Sequence, residues 1–174
     1  RGRPSRASSI VFENVDFAYP SRPDIKVLDG FSLTVDAGSS IALVGASGCG
    51  KSTAIALLMR LYDPSNGARG GRVFIDGDNI GDADGAALRA VREKIAVVNQ
   101  EPALFAASIR DNIRYGSGAD QVSEADVAAA ARAASASKFI ADFPDGLDTL
   151  VGERGVQLSG GQKQRVSLAR AVYA

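Results

Sequence analysis

Ile41-Ala42-Leu43-Val44-Gly45-Ala46-Ser47-Gly48-Cys49-Gly50-Lys51-Ser52-Thr53 is the stretch on which the fold turns. The four apolar residues Ile41–Val44 predict a short parallel strand buried on both faces. They run into Gly45-x-x-x-x-Gly50-Lys51-Ser52, after which a helical pattern extends from Thr53 to Leu61. A strand, a glycine-rich turn and a helix in that order wrap a backbone around phosphate. Glycines let successive N–H groups converge on anionic oxygens. The start of the helix adds the positive end of its dipole, about 0.3–1 kcal/mol for a nearby anion. Lys51 is expected to bridge the β- and γ-phosphates, and the Ser52 hydroxyl to ligate Mg²⁺. The candidate phosphate-binding residues are Gly45, Ser47, Gly48, Cys49, Gly50, Lys51, Ser52 and Thr53. Cys49 reads first as a small filler within the loop. The stretch marks a nucleotide site.

Outward from this loop, strands alternate with helices and then give way to a helical block. Residues 1–8 read as a basic, Pro-containing linker. Ile10, Phe12, Val15 and Phe17 predict a half-buried strand closed by Pro20 and Pro23, and Phe31, Leu33 and Val35 a second. Beyond the turn-rich Asp63–Arg72 segment, Val73-Phe74-Ile75 predicts a strand. Leu88, Val91 and Ile95 fit a short helix leading into a strand at Ile95–Val98. After Gln100 helices dominate: Ser123-Glu124-Ala125-Asp126 predicts an N-cap. A Gly-rich turn at Leu158–Gly161 precedes a last helix from Gln162 to about Tyr173. The class is α/β with a helical insertion. The expected divisions are the linker 1–8, a nucleotide-binding core with further strands at 9–98, a helical insertion at 99–161 and a returning helix at 162–174.

Composition narrows the function. Twenty Lys+Arg balance twenty Asp+Glu in 174 residues, so the chain lacks the basic excess of a nucleic-acid binder. No apolar run reaches the roughly 18 residues that cross a bilayer. The single cysteine forbids an internal disulfide framework. There is no histidine, and the only methionine is Met59, so the chain is expected to be a fragment.

Several phosphate-loop classes remain to be separated. Asp82-Ala83-Asp84-Gly85 and Asn79-Ile80-Gly81-Asp82 have the letters of GTPase motifs, but reversed, overlapping and without the base-reading lysine. Arg110, Arg114 and Arg132 are too scattered for a kinase lid. The decision comes at Leu158-Ser159-Gly160-Gly161-Gln162. Here the sequence resembles the nucleotide-binding domain of ATP-binding-cassette (ABC) transporters, whose signature is LSGGQ. Val98-Asn99-Gln100-Glu101-Pro102 is similar to the family's Q-loop. Ala103-Leu104-Phe105, Ser108–Ile113 and Val151-Gly152-Glu153-Arg154-Gly155 resemble the exporter subfamily, and Phe17–Pro23 the A-loop of its multidrug-resistance and peptide-transporter branch. The resemblance spans about residues 9–174.

The resemblance implies a P-loop NTPase (RecA-like) core, an antiparallel β subdomain and an inserted helical subdomain, truncated before the strand called Walker B. It implies that Tyr19 stacks on adenine, and that Gln100 senses the γ-phosphate and Mg²⁺. Ser159, Gly160, Gly161 and Gln162 would grip ATP held by a second such domain. Glu153 and Arg154 would touch the transmembrane partner. The implied cofactors are ATP and Mg²⁺, and the implied location is a membrane transporter, with this domain facing the cytosol or an organelle matrix. Val73-Phe74-Ile75-Asp76-Gly77 imitates Walker B but precedes the signature, so it is expected to be a turn after a strand. The family's catalytic acid and switch histidine are absent, so residues 1–174 alone are expected not to hydrolyse ATP and to be marginally folded. A non-transporting ABC ATPase and a regulatory module that binds without hydrolysis stand as alternatives. Sequence beyond Ala174 discriminates the last.

Overall fold

Apolar residues that face one side of two paired strands begin the first unit, which runs to Ile95. The structure is a computed structural model and describes residues 8–64, 71–115, 123–152 and 155–173. Strand β1 (Ile10–Ala18) pairs antiparallel with β2 (Lys26–Val35) on one side and β3 (Arg72–Ile75) on the other; β3 then pairs with the short β4 (Asp78–Asn79). The order is β2-β1-β3-β4. Simple alternation does not place Phe12, Val15 and Phe17 on one face, because the first gap is three residues. A bulge resolves this: the register with β2 shifts between Phe12 and Val15, and Asn14 takes φ 47°. All three side chains are buried, beside Leu57 and Ala54 from helix α1 (Lys51–Leu58). Asp16 is buried on the same strand at 1% exposure, where its carboxylate accepts the Gly30 N–H at 2.6 Å and faces the Lys26 ammonium at 3.2 Å.

The Walker B look-alike is a turn, as expected. Asp76 and Gly77 have φ 54° and 86°, the two positive values a type I′ turn requires between β3 and β4. The Asp76 carboxylate also accepts the Ser9 N–H (3.0 Å), the Ser8 hydroxyl (2.9 Å) and the Lys94 ammonium (3.1 Å), tying the start of β1 to the hairpin. These bonds, that from Lys94 foremost, hold its carboxyl below the ordinary value.

Two expected strands are not formed. Ile41–Val44 has no ladder partner among the described residues, and Val44 is 87% exposed and Ile41 48%. Ile95–Val98 is likewise outside any strand, with Val97 and Val98 exposed while Ile95 packs partly on the first core. The physical reason is that a parallel strand closes none of its own hydrogen bonds. It needs neighbours brought by long crossovers, and no described strand lies beside either run. The sheet among the described residues is antiparallel throughout. The predicted helices are present with shifted ends: α1 stops at Leu58, and α2 covers Gly85–Arg92.

The second unit, from Ala96 onward, is helical. Its elements are α3 (Ile109–Arg114), α4 (Glu124–Ala133), α5 (Ser137–Ala141) and α6 (Gly160–Tyr173). Ser108 and Ser123 cap α3 and α4 by accepting the N–H of Asp111 and Asp126, the second as predicted. Helix α6 buries Val166 and Ala169 against the cluster of Ile109, Ile113 and Val127 from α3 and α4. Arg110 braces this unit through both carboxylate oxygens of Asp148 (2.9 and 3.1 Å) and through Glu124. That pairing pushes the Asp148 carboxyl below its ordinary value.

Candidate functional site

The candidate phosphate loop, Gly45–Ser52, lies in the first unit, between an exposed apolar run and the first turn of α1. Its last glycine, Gly50, is the residue before the helix, at φ 94° and ψ 3°, a left-handed conformation that glycine adopts without steric cost. A Cβ there would also stand 2.7 Å from Leu28 Cδ2 and 3.1 Å from the Val27 carbonyl, so the loop lies directly on β2. Gly45 has no room either, since an added Cβ would meet Cys49 Sγ at 2.7 Å. Gly48 sits between them at φ 84°. Helix α1 therefore begins with no side-chain cap and no acidic residue in its first turn. An uncapped helix start of this kind offers N–H donors and a positive dipole end to an anion.

Lys51 folds back over the loop. Its ammonium donates to the Gly45 carbonyl at 2.9 Å and the Ala46 carbonyl at 2.7 Å, and lies 3.5 Å from Cys49 Sγ. The positive charge thus sits on the loop's own carbonyls. Ser52 is exposed, Thr53 is buried, and Cys49 is an exposed free thiol. Ser47 lies on the exposed outer part of the loop.

Tyr19 joins this loop through a bond that sequence reasoning did not foresee. Its hydroxyl is 2.8 Å from Thr53 Oγ1 in the first turn of α1. Its ring is edge-on to Phe17 (5.1 Å, 82°) and to Tyr62 (5.1 Å, 86°). Tyr19 and the loop residues are therefore brought together. Tyr62 was missed because it follows the helix, where no periodicity links it to a residue 43 positions earlier.

The other candidates lie in the second unit. Ser159-Gly160-Gly161-Gln162 folds as a capping box: the Gln162 N–H donates to Ser159 Oγ at 3.3 Å, and Gln162 Oε1 accepts the Ser159 N–H at 2.8 Å. The helix consequently starts at Gly160, two residues before the expected Gln162. Leu158 is buried as the anchor, while Ser159, Gly160 and Gly161 are exposed. A Cβ on either glycine would meet nothing within 4 Å. Among the described residues nothing crowds these two glycines.

Gln100 is exposed, and its carbonyl accepts a hydrogen bond from Gln164 on α6 at 3.1 Å. The segment after it is pinned by Asn112, which is fully buried. The Asn112 carboxamide pairs with the Phe105 backbone in both directions (2.8 and 3.0 Å) and donates to the Ser108 carbonyl (3.0 Å). Arg170 of α6 donates to the Asn112 carbonyl at 2.8 Å and to its side-chain oxygen at 2.9 Å, and lies over the Phe105 and Tyr115 rings. Burial lowers the pKa of that guanidinium. Neither Asn112 nor Arg170 had been singled out as a joint; a buried Asn has no periodic signal. A cleft of about 240 Å³ is lined in part by Pro102, Leu104, Gly152, Leu158 and Lys163. Glu153 and Arg154 lie outside the described residues.

Among the described residues no group of three or more His, Cys, Asp or Glu could hold a metal. Ser52 offers one exposed hydroxyl beside the loop, which suits an ion whose other ligands are phosphate oxygens and water. No described helix is long and apolar enough to cross a membrane.

Comparison with known proteins shows the family. The family model described as ABC transporter matches residues 28–174. The chain is 54% identical over 164 residues to "ABC transporter B family member 1" of Arabidopsis thaliana, covering 94% of this chain and 12% of that protein. It is 51% identical over 163 residues to "Multidrug resistance protein pgp-1" of Caenorhabditis elegans, again 94% of this chain and 12% of the relative. Among solved structures it superposes on a bacterial Atm1-family ABC exporter with ATP bound, at TM-score 0.82 and 45% identity, over 97% of this chain and 28% of that one. The chain thus spans about an eighth of the length of the curated relatives it matches. With a family model over residues 28–174 and this breadth of similarity, the chain belongs to the ABC transporter family and has the fold of its ATPase domain.

Proposed function

We propose that this chain is the nucleotide-binding domain of an ATP-driven membrane exporter, and that it binds Mg-ATP at the Gly45–Thr53 loop. The observation that carries this reading is the uncapped start of α1, covered by the Lys51 ammonium. A triphosphate offers that ammonium charged acceptors, which form stronger hydrogen bonds than two backbone carbonyls. Lys51 would exchange the Gly45 and Ala46 carbonyls for β- and γ-phosphate oxygens, while the loop N–H groups hold the rest. Tyr19 would stack on adenine, an interaction worth about 1–3 kcal/mol. Ser52 would hold Mg²⁺, whose contribution when bound is to neutralise charge on the phosphates.

The open space over Gly160 and Gly161 supports a second role. An exposed helix start whose two glycines no described residue crowds suits an anion presented by another molecule. We assign it to ATP bound by a second copy of the domain, so that two domains close face to face around two nucleotides. Glu153 and Arg154 are the proposed contacts to the transmembrane helices that this closure moves. The relatives' names and the exporter with ATP bound support the export assignment. Light scattering of the full-length protein's nucleotide-binding domains tests the pairing. Mg-ATP under conditions that block hydrolysis should drive association, and omission of either Mg²⁺ or ATP should abolish it. Identical mass with and without Mg-ATP would sink the face-to-face arrangement.

A further inference from the structure

We propose that Tyr62 is a positioning residue for nucleotide base recognition, acting through the ring of Tyr19. The inference rests on the reading that Tyr19 stacks on adenine and assigns the device that holds it ready.

Stacking adds affinity only if the aromatic platform is already in place. A solvent-facing tyrosine that must be ordered on binding gives part of the gain back as lost rotamer freedom. Tyr19 is restrained on three sides. Phe17, 2% exposed in the sheet core, meets it edge-on from its own strand. The Thr53 hydroxyl holds its tip at 2.8 Å. Tyr62 supplies the third side at 5.1 Å and also contacts Phe17 at 5.6 Å, so the three rings form a closed set. Yet Tyr62 is itself 37% exposed, and its burial alone does not account for its placement.

The chain fixes Tyr62 by a separate device. After Leu58 the helix ends in a Schellman motif: the Leu61 N–H donates to the Ala56 carbonyl and the Arg60 N–H to the Leu57 carbonyl, both at 2.9 Å. Arg60 occupies the left-handed position usually given to glycine, at φ 54°. Its guanidinium is tethered to the carbonyls of Ile80 (3.1 Å) and Gly81 (2.7 Å), and Arg92 grips the carbonyls of Met59 and Arg60. A non-glycine residue in that conformation is strained, and it persists where surrounding bonds hold it. The consequence is a chain reversal that brings Tyr62 back against Tyr19 from the far end of the same helix whose first turn holds Thr53. Base platform and phosphate loop are thereby joined at both ends of α1.

An edge-on aromatic pair contributes about 0.5–1.5 kcal/mol, which converts to roughly a 2- to 12-fold change in affinity. The test measures binding of Mg-ATP and of Mg-tripolyphosphate, which has no base, to the full-length protein carrying Tyr62→Leu, Tyr62→Phe or Tyr19→Ala. Tyr62→Leu should weaken Mg-ATP by about 2- to 12-fold and leave tripolyphosphate unchanged. Tyr62→Phe keeps the ring edge and should restore Mg-ATP affinity. Unchanged tripolyphosphate binding also certifies that the loop is folded in each variant. If Tyr19→Ala weakens Mg-ATP but Tyr62→Leu does not, or if Tyr62→Leu weakens both ligands equally, the positioning role is overturned. If Tyr19→Ala leaves Mg-ATP unaffected, the stacking reading fails first and the inference falls with it.

Discussion

Gly161→Ala separates what the fold needs at the LSGGQ turn from what the proposed function needs. In α6 Gly161 is the second helical residue, exposed, with nothing within 4 Å of an added Cβ. Replacing a helical glycine with alanine removes backbone entropy from the unfolded chain, a gain of about 0.5–1 kcal/mol. The capping box uses the side chains of Ser159 and Gln162 and is untouched. On the structure alone the variant should therefore be more stable. If a phosphate of a second domain's ATP must reach the N–H groups here, however, the new methyl intrudes on a charge-assisted hydrogen bond worth about 1.5–3 kcal/mol. That corresponds to roughly a 10- to 150-fold loss of turnover. The assay pairs a urea unfolding curve with steady-state ATP hydrolysis by the full-length protein. The expected result is a higher unfolding midpoint together with at least tenfold slower hydrolysis. Normal hydrolysis would refute the trans-nucleotide role, and a lowered midpoint would show that the turn requires glycine for its own folding.

Two further perturbations test the second unit. Asn112→Ala removes a buried carboxamide that makes four hydrogen bonds to Phe105, Ser108 and Arg170. It should cost about 2–4 kcal/mol in urea unfolding, and a loss under about 1 kcal/mol would mean that water replaces the carboxamide. Asp148 has a folded-state pKa held below its ordinary 3.8 by Arg110. A depressed carboxyl stabilises the fold above its unfolded pKa and loses that contribution as pH falls through its folded value. Melting curves of the wild type and Asp148→Asn should therefore differ above pH 3.8 and converge on acidification; parallel curves down to the acid limit would contradict the pairing.

Chemistry that is local in sequence was legible before the structure. The loop Gly45–Ser52 and the Asp76-Gly77 turn each depend on backbone conformations that their own residues dictate, and both are found where expected. The Ser123 cap is similar. Ser159–Gln162 was legible only in part: a helix N-cap at Ser159 can be read from Ser-Gly-Gly, but the return bond from the Ser159 N–H to Gln162 was not anticipated. Features that depend on distant partners were not legible. The bulge at Asn14 is set by pairing with β2, and Tyr62 meets Tyr19 only because the chain reverses at Arg60. Ile41–Val44 shows the converse. An apolar run states a demand for burial, but a parallel strand exists only where neighbours supply its hydrogen bonds, and no described strand does so.

The most direct test of the account is the affinity of the full-length protein for Mg-ATP, measured by calorimetric titration in wild type and Lys51→Ala. The Lys51 ammonium is the charge that covers the loop at 2.7 and 2.9 Å from its carbonyls, and alanine leaves the triphosphate without that partner. Loss of a charge-assisted contact of about 1.5–3 kcal/mol or more should weaken binding at least tenfold. Equal affinity in the two proteins would contradict the assignment of Gly45–Thr53 as the nucleotide site.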